Sequence, residues 1–142
     1  MKTFYHCLIM WIPFVLLFTY AVFGLELLEG NKIMLSEQIR LNNPGPFQLL
    51  METVLVIFLY PISFLPLTFI VSEFVKQLMI KLFIFTFFGG LLGAFVFKII
   101  FDSYFIEEFK LSIFSSIIIF SIAGVVYTFI ENFFKRNINY SN

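Results

Sequence analysis

The sequence predicts an all-α, polytopic membrane protein whose four transmembrane helices form one compact bundle. Three observations carry that expectation. Of 142 residues, 61% are hydrophobic and 13% charged, where soluble domains run at about 45–50% apolar and about 25% charged. The mean hydropathy is +0.99, and a soluble domain of this size still leaves about 30% of its chain surface in water. Four uncharged runs bordered by charges each approach the length of about 20 apolar residues that a spanning helix needs.

The first run, Thr3 to Leu25 between Lys2 and Glu26, predicts a span over about residues 4–25. It competes with a signal peptide, but a signal core covers only about 7–15 residues before a small-residue cleavage site. The stretch around Ala21-Val22-Phe23 is wrong for cleavage. The second run, 53–72 between Glu52 and Glu73, carries Pro61 and Pro66 in its middle. The third, 82–101 between Lys81 and Asp102, is interrupted by Lys98 alone, and the fourth, 111–130, lies between Lys110 and Glu131. A polar loop, 26–51, with the turn signal Asn42-Asn43-Pro44-Gly45-Pro46, joins the first two spans. Its part from Leu27 to Leu41 reads equally as an interfacial helix or as an ordered loop. The links 73–81 and 102–110 are short, which makes their flanking spans antiparallel hairpins. A short polar tail, 131–142, closes this single membrane domain.

Four spans place both termini on one side. With the termini cytoplasmic, Lys2, Lys76, Lys81, Lys135 and Arg136 lie inside against Lys32, Arg40, Lys98 and Lys110 outside. The inner set also lies closer to the span ends, as the positive-inside rule weights it. The expected location is the cell membrane, with cytoplasmic termini.

Lys98 is the one charged residue inside a predicted span, and such a residue is by default a candidate for transport. Its place near the outer end, four residues before Asp102, favours snorkelling or a local i, i+4 pair over a transport role. Glu52 opens the second span at the same leaflet, where a pair with Lys98 is geometrically possible and where the helix dipole alone also explains it. Pro61 and Pro66 each remove a backbone donor and kink the second span, and Ser63 is placed to satisfy a freed carbonyl. Gly89-Gly90-Leu91-Leu92-Gly93-Ala94 sets Gly89 four residues from Gly93 and Gly90 four from Ala94. Ser112 and Ser116 start a second small-residue face on the fourth span. Small residues at this spacing let helix backbones approach closely, so these six are expected to pack helix on helix.

The composition also excludes chemistry. One cysteine, Cys7, and one histidine, His6, rule out an intramolecular disulfide and a multi-thiolate metal site. No catalytic residue, cofactor or metal is expected. Nine basic and nine acidic residues without a like-charge block do not support a nucleic-acid partner. A quinone-coupled disulfide enzyme needs paired cysteines, and a small multidrug exporter needs a carboxylate deep in its first span; the sequence has neither. Non-enzymatic roles remain. One is a structural, interaction or regulatory protein, associating with itself or with another membrane protein. The alternative is a small oligomeric channel or carrier, including a holin-like pore, with Lys98 and Glu52 near its path.

In its length, Phe/Ile-rich spans, Pro61…Pro66 second span and closing Ile130-Glu131…Lys135-Arg136, the whole chain resembles the uncharacterised small four-span membrane protein families of AT-rich Gram-positive bacteria and their prophages. The resemblance implies a multi-pass membrane location and this architecture, and no activity.

Overall fold

In hydrocarbon every backbone N–H and C=O must find a partner within the protein, which helices provide segment by segment. The computed structural model describes residues 2–33 and 46–140, and within them it is helical without strands. The helices are α1 (Lys2–Ile9), α2 (Trp11–Leu25), α3 (Pro46–Leu59), α4 (Leu65–Phe74), α5 (Leu78–Ile100), α6 (Ser103–Glu108) and α7 (Ile113–Tyr140). Four stretches are long and apolar enough to cross a membrane: Phe4–Ile33, Leu50–Phe74, Leu78–Ile100 and Ile113–Arg136. Most of the turn at 42–46, like part of the segment read as loop or interfacial helix, lies outside the described residues.

The first two spans are interrupted where proline or a π-helical turn breaks the ladder. Pro13 offers no N–H to the carbonyl of Ile9, and α1 gives way to α2 at Met10. The second span passes through a π-helical turn, Tyr60–Phe64, which contains Pro61 and ends two residues before Pro66. Pro61 leaves the Ile57 carbonyl without its helical donor, and Trp11 Nε1 donates to that oxygen at 3.2 Å. Ser63 Oγ donates to the Leu59 carbonyl at 2.6 Å. A second π-helical turn, Glu26–Gly30, carries the first span on to Ile33, eight residues beyond Leu25. The residues read as a polar tail continue α7 as helix to Tyr140.

Each span buries one stripe at steps of three or four residues. The stripes are Met10, Phe14, Phe18, Ala21, Leu25; Val56, Tyr60, Phe64, Thr68; Phe85, Gly89, Leu92, Val96; and Phe120, Ala123, Tyr127. The opposite faces carry exposed Ile, Leu and Phe, as contact with lipid tails requires. The closest packing joins α5 to α7. A Cβ on Gly89 would stand 2.6 Å from the Phe120 carbonyl oxygen, and one on Gly93 2.7 Å from that of Ser116. On the facing helix, a Cβ on Gly124 would meet the Phe85 carbonyl. Ser116 Oγ donates to the Gly93 carbonyl at 2.7 Å. α2 packs on α7 and α3, whereas α1 packs chiefly on α4.

Between α6 and α7 the chain turns through Lys110, whose φ of 49° lies in the left-handed region. The Leu111 N–H donates back to the Ile106 carbonyl at 3.2 Å, closing the end of α6 as left-handed helix caps do. That turn sets the start of α7 beside the end of the first span.

Candidate functional site

The described residues bury ionisable groups at both ends of the bundle. At the end near the termini, Glu131 is 0% exposed, Lys81 2% and His6 3%. Lys81 Nζ donates to both oxygens of Glu131, at 2.9 and 2.7 Å. His6 Nε2 stands 3.5 Å from Glu131 Oε1. One carboxylate from the fourth span thus faces a cation from the third and an imidazole from the first. Lys135 Nζ donates to the Ser72 carbonyl, bringing the second span into the same end.

At the opposite end Glu29, 1% exposed, takes three donors. They are Lys32 Nζ at 2.6 Å, the Ser112 N–H at 3.0 Å and Ser115 Oγ at 2.6 Å. Burying a carboxylate is costly unless it is paired and hydrogen-bonded, and here the fourth span's first turn supplies two of the partners. This end therefore clasps the first span to the fourth.

Between the two ends the bundle is filled with rings from all four spans. Phe14 lies 4.2 Å from Phe18 and 4.8 Å from Phe64, centroid to centroid, and Phe18 lies 5.7 Å from Phe120. Tyr127 stands 5.4 Å from Phe64 and 5.2 Å from Phe85. These are the separations at which aromatic pairs attract. The two tyrosines keep their hydroxyls satisfied within the bundle: Tyr60 Oη donates to the Cys7 carbonyl at 2.6 Å, and Tyr127 Oη pairs with Thr68 Oγ1 at 2.9 Å. The arrangement thus pairs its buried charges at the two ends and packs aromatic rings between them.

No family model, curated protein or solved structure matches the chain.

The residues singled out in the sequence fall in different places. Lys98 is exposed in the last turn of α5, Glu52 is half-buried in the second span, and no ion pair joins them. Gly89, Gly93 and Ser116 lie in the contact between α5 and α7; Gly90 faces Ser121 and Ile117 there, and with Ala94 lines the outer seam of the same pair. Ser112 belongs to the Glu29 cluster through its backbone. In the sequence Lys81 and Glu131 border spans, His6 stands as a lone ligand and Glu29 lies in the polar loop 26–51, so neither buried cluster is legible there. The stripe periodicity reaches them: one step of four from Met10, Phe85, Leu25 and Tyr127 lands on His6, Lys81, Glu29 and Glu131. No group of three or more metal-ligating side chains occurs among the described residues.

Proposed function

We propose that this chain is a non-enzymatic, multi-pass protein of the cell membrane with a structural, interaction or regulatory role, both termini cytoplasmic. The observation that supports it is the ring-filled centre between two internally matched ionic ends. A water-filled path needs polar lining through the membrane, and the middle of this bundle offers Phe14, Phe18, Phe64, Phe85 and Phe120 instead. The sidedness is supported by Lys76, Lys135 and Arg136 at the end that holds the termini. Association with itself or with another membrane protein belongs to the same proposal.

The test is ion and small-solute flux in liposomes carrying the purified, folded protein. The expected result is no flux above empty liposomes. Flux that exceeds that background and falls in Lys98→Ala would replace this reading with an oligomeric channel or carrier. Sidedness is read by labelling Lys76→Cys and Lys98→Cys in intact cells with an impermeant thiol reagent. Reaction at position 98 but not at 76 supports cytoplasmic termini; the reverse overturns them.

A further inference from the structure

Beside the first and fourth spans, on the outer surface, lies an open groove of about 730 Å³, within the range of about 300–1,000 Å³ typical of small-ligand sites. Its origin is local. Pro13 interrupts the first span at Met10, so α1 turns toward α4 while α2 stays on α7. The outer side of the seam between the first and fourth spans is left open over residues 12–16 and 129–136. Ile12 and Leu16 line it from the first span, Phe129 and Phe133 from the fourth, and Asn132 and Arg136 add its polar groups.

Arg136 sets this groove apart. The groove beside α5 and α7, lined by Thr86, Gly90, Ala94 and Ser121, has no charged residue, and neither does the one lined by Val15, Thr19, Tyr20 and Thr53. Two other cations at the Arg136 end are held within the bundle, Lys81 by Glu131 and Lys135 by the Ser72 carbonyl. Arg136 is exposed and enters none of the ion pairs of the bundle ends. An apolar slot running about 10 Å along the helix from residue 129 to residue 136, by a rise of about 1.5 Å per residue, ends in a planar fork of N–H donors.

We propose that this groove binds one anionic phospholipid, its acyl chain between Leu16 and Phe133 and its phosphate on Arg136, with Asn132 as a second donor. Guanidinium groups match phosphate oxygens in pairs, and one basic residue at a bilayer surface favours an anionic headgroup by about 1 kcal/mol, which is about fivefold. The bilayer surrounds this face, so the ligand is at hand in the leaflet beside the termini.

The full chain in nanodiscs of equimolar phosphatidylglycerol and phosphatidylcholine with identical acyl chains is released into a mass spectrometer, and bound lipids are counted. The expected result is about a fivefold preference for phosphatidylglycerol. Arg136→Gln reduces that preference to below about twofold, while Lys98→Gln, which removes an exposed cation far from the groove, leaves it intact. Leu16→Trp, which fills the slot, lowers retention of both lipids. Equal retention of the two lipids by the wild type overturns the proposal. So does a preference that survives Arg136→Gln or falls as far in Lys98→Gln. Displacement of the lipid by soluble glycerol phosphate at equal concentration would assign the groove to free phosphate esters and overturn the lipid.

Discussion

At the residue scale, the informative atoms are the two oxygens of Glu131. Both accept from Lys81, and His6 flanks one of them. Removing one member of a buried pair leaves the other charge uncompensated, which costs about 3–5 kcal/mol, whereas replacing both by apolar side chains of similar size is often neutral or better. Glu131→Leu and Lys81→Met should therefore each lower unfolding stability by that amount, and the double variant should recover most of it. Reversible unfolding in mixed micelles measures the cycle; additive losses in the double variant would show that the two side chains act independently. The sequence displays Lys81 and Glu131 as charges bordering apolar runs, and border charges are normally solvated. What hid the cluster is that its members come from the first, third and fourth spans. Charge along one chain does not reveal which borders meet. Lys98, conspicuous because no other charge lies near it in its run, stays on the surface.

Helices are the next scale, and there the glycines separate packing from chain stiffness. Gly89 and Gly24 are both helical, but a Cβ on Gly89 meets the Phe120 backbone at 2.6 Å and a Cβ on Gly24 meets nothing within 4 Å. A main-chain carbonyl cannot rotate aside, so Gly89→Ala must push α5 and α7 apart, at a cost of about 1–3 kcal/mol as overpacking does. Gly24→Ala removes backbone freedom from the unfolded chain and should stabilise by about 0.5–1 kcal/mol. Thermal unfolding midpoints in one detergent should move in opposite directions; a shift of the same sign for both would sink the packing assignment. The small-residue motif was legible as a close-approach signal because helix geometry fixes spacing. The partner was not, since facing residues such as Phe120 and Gly124 are set by the hairpin's register. Helix ends were the least legible elements. The first span runs past Glu26 because a π-helical turn lets Glu29 reach Ser112 and Ser115, and that gain depends on a distant segment.

Across the whole molecule, the two ionic ends measure the bundle against the bilayer. His6 and Glu29 stand 23 residues apart on the first span, about 34 Å at a rise of about 1.5 Å per residue. The hydrocarbon core is about 30 Å thick, so both clusters are expected near its boundaries, where headgroups and water lower the cost of charge. The rings of Phe14, Phe64, Phe85 and Phe120 then occupy its interior. Trp11, the single tryptophan, reports this depth without any substitution. Five residues in from His6, it should lie about 10 Å from the bilayer centre by the same helical rise. Its half-buried ring donates to the Ile57 carbonyl, which holds it at a fixed level. Quenching by lipids brominated at successive acyl positions should place the indole near that depth. An indole found at the headgroups would mean that the N-terminal cluster stands in water. An indole at the bilayer centre would put Lys81 and Glu131 deep in hydrocarbon, where a matched pair faces a far larger desolvation cost.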